Sequence, residues 1–283
     1  MPEIRQLLAG DAARLAAALA LDAASARLEV QYLLQHALRK PRAWLLARPE
    51  QPLTEAQFAD YQKLLQRRLQ GEPVAYIIGE REFFGLKFRV TPDVLIPRPE
   101  TELLVELALR HIPLQQPKRV LDLGAGSGAI ALTIAHERPL AEVTAVDASA
   151  AALEVARENA RLLDIGNVHF LCEDWFGGLV GQRFDLIVSN PPYVETGDPH
   201  LQQGDLPFEP LSALASGTDG LDDIRHIVSR APSYLHAGGW LLLEHGYDQA
   251  AAVRELLQRS GLGEVFSLPD LSGIERVSGG RLA

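Results

Sequence analysis

Val120-Leu121-Asp122-Leu123-Gly124-Ala125-Gly126-Ser127-Gly128-Ala129-Ile130 runs from an apolar strand through a glycine-rich turn into the start of a helix. Glycines let such a turn take positive φ, and they let a ligand touch the main chain where a Cβ would collide. A helix beginning near Ala129 offers its free N–H groups to that ligand. Asp147 follows about 20 residues on, at the end of the next apolar segment, where a carboxylate accepts both hydroxyls of a ribose. The turn alone leaves the nucleotide open. Gly124, Gly126 and Ala129 also satisfy the dinucleotide pattern G-x-G-x-x-G/A, and a tight turn with no ligand uses the same residues.

Outward from this turn the chain alternates. Strands are expected at Arg119–Leu123, Glu142–Asp147, Val168–Leu171, Phe184–Ser189 and Gly239–Leu243. Helices are expected at Ala129–Arg138, Ser149–Leu163, Leu221–Leu235 and Gln249–Ser260, with Ser149 suited to capping its own. Strands separated by helices of about ten or more residues imply βαβ units and a parallel sheet, so the class is α/β. Short strands near Glu264–Leu268 and Arg276–Val277 suit a terminal hairpin.

Upstream the pattern is helical. Leu28, Leu33, Leu34, Ala37 and Leu38 recur at helical spacing, and Thr54 with Gln57 forms a capping box beside a Leu53–Phe58 staple. Phe58, Tyr61, Leu65 and Leu69 make the buried stripe of that helix, and Gly71 stops it. Val74–Gly79 and Glu82–Val90, rich in β-branched and aromatic residues, read as a pair of short strands, followed by a chain held extended by Pro92, Pro97 and Pro99. The organisation is therefore a helical bundle over 1–72, a β-hairpin linker over 73–97 and an α/β domain over 98–283.

Composition sets limits. Nearly half of the 283 residues are hydrophobic, enough for a sizeable core. A single cysteine, Cys172, rules out an internal disulfide and reads as a buried thiol in a reducing compartment. The start has no signal-peptide pattern and no stretch reaches the apolar length of a membrane span, so a cytoplasmic protein is expected. A net charge of −10 argues against a nucleic-acid partner, which calls for Lys and Arg against phosphate. No metal is expected, and a monomer is.

Two further segments face the same crevice if the sheet is doubly wound, because ligands there lie beyond the carboxyl ends of the strands. The first contains Asp174 and Trp175, an acceptor for an exocyclic amine and a flank for an adenine ring, although a tryptophan is also ordinary core. The second is Asn190-Pro191-Pro192-Tyr193 after the buried run Phe184–Ser189. Two prolines make that loop rigid and remove N–H donors from it. Methylating an amide requires this kind of loop. The nitrogen lone pair is delocalised into its carbonyl, so nitrogen is a poor nucleophile and must be held face-on to a strong electrophile. The side-chain carbonyl of Asn190 and the main-chain carbonyl of Pro191 suit the two amide hydrogens, and Tyr193 can lie over the flat group. Catalysis is then positioning and electrostatics without an acid–base pair.

At these residues the sequence resembles the release-factor glutamine N5-methyltransferases (HemK/PrmC). The likeness extends over Gly71–Ile77, Leu95–Glu102, Asp122–Leu132, Glu173–Phe176, Asn190–Tyr193 and Glu244–Gly246. Ala125 and Ser127 stand where the family often has Thr. The resemblance implies a Rossmann-like methyltransferase domain whose mostly parallel seven-stranded sheet ends in an antiparallel hairpin. It implies S-adenosyl-L-methionine as donor, S-adenosyl-L-homocysteine as product, and the glutamine of the Gly-Gly-Gln motif of bacterial peptide chain release factors as substrate, gripped by the helical domain. By motif position, Gly124, Ala125, Gly126, Ser127, Gly128, Asp147, Asp174, Trp175 and Asn190 would hold the cofactor. Asn190, Pro191, Pro192 and Tyr193 would hold the glutamine. Arg98, Glu100 and Thr101 are either substrate contacts or a helix start whose acids suit the dipole. Glu244 and His245 suit packing rather than catalysis. The alternatives are a ribosomal-protein glutamine methyltransferase, an adenine-N6 nucleic-acid methyltransferase using the same loop on a flipped base, an NAD(P)-linked oxidoreductase, which leaves Asn190–Tyr193 unexplained, and an adaptor with a dead site.

Overall fold

The computed structural model describes residues 1–283. They divide into two compact units: Met1–Glu80 with Gln202–Phe208, and Arg81–Leu201 with Glu209–Ala283.

The first unit holds α1 (Ile4–Leu19), α2 (Ala23–Leu38), α3 (Arg42–Ala47), α4 (Glu55–Leu69) and α5 (Val74–Ile78). Their ends follow local chemistry. Asp22 caps α2 by accepting from the N–H groups of Ala24 and Ser25, and the Thr54–Gln57 capping box is present on α4. Tyr61 and Leu65 are fully buried in a core shared with Leu15, Val30 and Leu34. Arg68, on the same helix, is buried as well. Its Nε and Nη2 donate to Glu29 at 2.7 and 3.0 Å, and its Nη1 donates to the carbonyls of Gly71 and Glu72 and to Asp205 at 3.1 Å.

Residues 74–78 form a helix, not the strand their composition suggested. Val74, Ile77 and Ile78 fall one turn apart and pack on the helical core, the Pro73 carbonyl accepts from Ile77, and Gly79 at φ 77° closes the turn. Spacing outweighs β-branching here because a buried face is on offer.

The second unit opens with a hairpin, β1 (Glu80–Phe83) and β2 (Leu86–Arg89), turned through Phe84 and Gly85, both at positive φ. There follow α6 (Glu102–His111), β3 (Arg119–Leu123), α7 (Ala129–Glu137), β4 (Glu142–Asp147), α8 (Ala150–Leu162), β5 (Val168–Cys172) and β6 (Phe184–Ser189). The chain ends with α9 (Asp222–Arg230), β7 (Leu235–Glu244), α10 (Ala250–Arg259), β8 (Leu262–Pro269) and β9 (Glu275–Leu282). The sheet order is β5-β4-β3-β6-β7-β9-β8, parallel except where β9 joins β7 and β8. Apolar cores lie on both faces, which is why the central strands read as unbroken hydrophobic runs. Strand order reverses between β3 and β6, so a crevice opens beyond their carboxyl ends, where the glycine-rich turn and Asn190 both emerge. Cys172 is exposed rather than buried, because it closes the edge strand β5, which pairs only with β4.

Candidate active site at the strand switch point

The glycine-rich turn is built onto β4. The N–H groups of Gly124 and Ala125 both donate to the Val146 carbonyl, and the Gly126 N–H donates to Asp147 Oδ2 at 2.8 Å. Asp147 Oδ1 accepts from the Ser149 N–H at 2.8 Å. Each carboxylate oxygen keeps acceptor capacity for a ligand hydroxyl. Gly124, Gly126 and Gly128 sit at φ 75°, 54° and 81°. A Cβ on Gly128 would lie 2.9 Å from Leu132 Cδ1, so α7 starts at closest approach, whereas a Cβ on Gly126 would meet no protein atom within 4 Å. Asn159, fully buried on α8, clamps the back of the turn: its Nδ2 donates to the carbonyls of Ser127 and Arg89.

A cavity of about 450 Å³ lies against this turn, within the size range of small-molecule sites. Of the residues singled out in the sequence, Gly124, Gly126, Asp147, Asp174, Trp175, Asn190 and Pro192 line it. Trp175 holds an unusual left-handed φ of 46°, with its ring beside Gly124. Ala125, Ser127, Gly128 and Pro191 are not on the wall, and neither are Tyr193, Arg98, Glu100 and Thr101. Arg98 is paired with Glu209, a buried acid whose Oε2 also accepts from the Ile96 N–H. Glu100 is exposed. Thr101 is buried and accepts from Asn190 Nδ2 at 3.1 Å. The Tyr193 hydroxyl turns away from the cavity to donate to Glu244 Oε1 at 3.3 Å. Two wall segments escaped the sequence reading, Pro92–Leu95 and Pro210–Ala213. The first is irregular and the second is a single 3-10 turn, Leu211–Ala213, so no periodicity announced them.

Two acids behind the site are held near neutrality. Asp122 is fully buried, and burial pushes its carboxyl up to about 7, against the Ala131 N–H bond and with help from Asp147. Glu244 is pushed up to about 7, also chiefly by burial. Burial likewise raises the Tyr193 phenol, with Glu244 adding to the effect. His245 is buried between Ser278 and the Gly246 carbonyl, a packing arrangement. A buried acid whose folded pKa lies above its unfolded value binds its proton more tightly when folded. The stability that these two acids contribute should be full below about pH 4 and be lost as pH rises through about 7. Denaturation series across that range should show the slope, and Asp122→Asn should reduce it.

A PrmC N-terminal domain family model matches residues 11–79, and a methyltransferase small domain model matches 100–204. The release factor glutamine methyltransferase of Burkholderia pseudomallei is 55% identical over 96% of this chain and 96% of its own. Its namesake in Escherichia coli is 48% identical over 91% and 92%. Among solved structures, a methyltransferase from Pyrococcus furiosus aligns with TM-score 0.53 at 19% identity, over 78% of this chain and 98% of its own. The T. thermophilus 16S rRNA N2 G1207 methyltransferase, in complex with AdoMet and guanosine, aligns with TM-score 0.54 at 22% identity, over 72% and 50%. These two support the fold alone. With both units matched in order and close relatives aligned along nearly all of its length, the chain belongs to the release factor glutamine methyltransferase family.

Proposed function

We propose that this chain methylates the side-chain amide nitrogen, N5, of the glutamine in the Gly-Gly-Gln motif of bacterial peptide chain release factors, in the cytoplasm, with S-adenosylmethionine as donor. The observation that carries this reading is the position of Asn190, on a proline-stiffened loop at the same cavity as Asp147. Relatives about half identical, named for this activity, support the substrate.

The residues present suit the cofactor. Asp147 retains two acceptor oxygens for ribose hydroxyls, Gly126 leaves its inner side open, and Asp174 and Trp175 border the space that an adenine needs. When bound, S-adenosylmethionine supplies an electrophilic methyl carbon next to a positive sulfur. The chain supplies orientation. With Nδ2 engaged by Thr101, Asn190 has its Oδ1 left for one amide hydrogen, and the proposed second acceptor is the carbonyl of Pro191, which lies off the cavity wall between the wall residues Asn190 and Pro192. Holding both hydrogens fixes the plane of the amide and raises electron density on nitrogen as it attacks, so the stabilisation grows toward the transition state. The helical unit is the proposed grip on the release factor.

Incubation of the chain with a release factor and the methyl donor, followed by peptide mass spectrometry, tests the reading: one methyl should appear, on the motif glutamine. A methyl elsewhere, or none, rejects it. Asp147→Ala should weaken binding of S-adenosylhomocysteine by about 10- to 100-fold in calorimetry, the loss of two hydrogen bonds to a charged acceptor. Unchanged affinity would remove Asp147 from the cofactor site.

A further inference from the structure

The main chain at the far end of the Asn190–Tyr193 loop is held on both of its polar groups. The N–H groups of Tyr193 and Val194 donate to the Leu214 carbonyl at 3.2 and 2.9 Å, and the Tyr193 carbonyl accepts from Gln249 Nε2 at 3.0 Å. Gly220 packs against the same carbonyl: a Cβ there would lie 2.3 Å from the oxygen and 2.7 Å from Gln249 Nε2. Gln249 is the N-cap of α10, whose Val253 and Leu257 are fully buried in a core shared with Ile187 of β6 and Leu243 of β7. It does not reach the cavity.

The hydrogen inventory fixes how this side chain is turned. A carboxamide has one oxygen that accepts and one NH2 that donates two hydrogens. Gln249 Oε1 accepts from the Gly246 N–H at 2.8 Å, just past the end of β7. Its Nε2 then faces three carbonyls, Tyr193 at 3.0 Å and Asp219 and Gly220 each at 3.4 Å. A turned amide would set donor against donor at Gly246 and oxygen against oxygen at all three carbonyls. Only one orientation is favourable, and in it Tyr193 receives the best bond.

Asn190 enters the loop directly from β6, and the two prolines have fixed φ. The freedom that remains is taken up where the loop leaves, at the Tyr193 peptide. The geometry points to Gln249 as a positioning residue: by holding the Tyr193 carbonyl it fixes the exit of the loop, and with it the aim of the Asn190 and Pro191 oxygens. This inference rests on the proposed role of that loop in amide methylation.

The test compares wild type, Gln249→Met and Gln249→Glu in release-factor methylation. Gln249→Met keeps the length and loses every side-chain hydrogen bond. Its kcat should fall about tenfold, while KM for the release factor and affinity for S-adenosylhomocysteine stay within about twofold. Gln249→Glu should show the same loss at pH ~8, because the introduced carboxylate has no hydrogen for the Tyr193 carbonyl. Once protonated, that carboxyl again offers one donor and one acceptor, so kcat relative to wild type should recover as pH falls toward about 5. A glutamine that only stabilised the fold would give neither the split nor the recovery. Near-wild-type kcat in Gln249→Met, or a Gln249→Glu ratio that stays flat with pH, overturns the inference. Amide exchange reads the clamp without turnover. In Gln249→Met the Tyr193 and Val194 N–H groups should exchange about tenfold faster, while those of Gly124 and Gly126 keep their protection. That loosening, seen with no glutamine methylated, supports the clamp and rejects the proposed function alone. Unchanged exchange at Tyr193 with methylation intact rejects the clamp alone.

Discussion

Asn190→Ala is expected to cut methyl transfer by about 10²- to 10³-fold, the scale seen when a preorganised polar group at a reacting centre is removed. The substitution deletes the proposed acceptor of one substrate hydrogen and leaves the other on the Pro191 carbonyl, so the amide plane is no longer fixed. Collateral damage should be small. Thr101 loses one donor, a cost of about 1 kcal/mol to folding. The Gly124–Gly128 turn and Asp147 are held by bonds that do not involve Asn190, so cofactor binding should persist. Single-turnover methylation of a release factor, read alongside calorimetry of the product thioether, separates these effects. Transfer within about threefold of wild type would remove Asn190 from the chemistry.

The second large effect concerns folding. Arg68→Ala should destabilise the helical unit by about 3 kcal/mol. The guanidinium is 4% exposed and serves five acceptor atoms: both oxygens of Glu29, the Gly71 and Glu72 carbonyls, and Asp205. Removing one partner of a buried pair costs about 3–5 kcal/mol because the other charge stays behind. Glu29 and Asp205 are themselves 19% and 36% exposed, so water softens the loss toward the lower end. Amide exchange along α2 and α4 should quicken by about 100-fold, while β3 and β6 keep their protection. Unaltered exchange in α4 would show that the buried cation is dispensable.

Much of the frame could be read in advance, for a physical reason. A strand buried on both faces is apolar throughout, so β3, β4 and β6 start and end where hydrophobic runs meet glycine, proline or acid. Asn190 and Asp147 could be placed at one crevice because parallel strands deliver their carboxyl ends to the same side. What escaped was chemistry between distant positions. Arg98 pairs with Glu209 and Thr101 contacts Asn190 across about a hundred residues of chain, with no local pattern to announce either. Arg98 and Thr101 do flank a helix start, at the 3-10 turn Pro99–Thr101 that leads into α6, and they are also tied to Glu209 and to Asn190. Val74–Ile78 misled in the opposite way: its composition favoured a strand while its spacing, correctly weighted, favoured a helix.

The seven-residue excursion Gln202–Phe208 has a practical consequence for dissecting this molecule. It brings Asp205 to Arg68 and sets the Phe208 ring against Gly71. A fragment cut after Glu80 would thus be missing a counter-ion and an aromatic cover that only the distal half of the polypeptide supplies. Ribosomal synthesis meets the same gap, since the bundle emerges well before its last piece is made. Full maturation of the amino-terminal unit must wait for translation to pass residue 208.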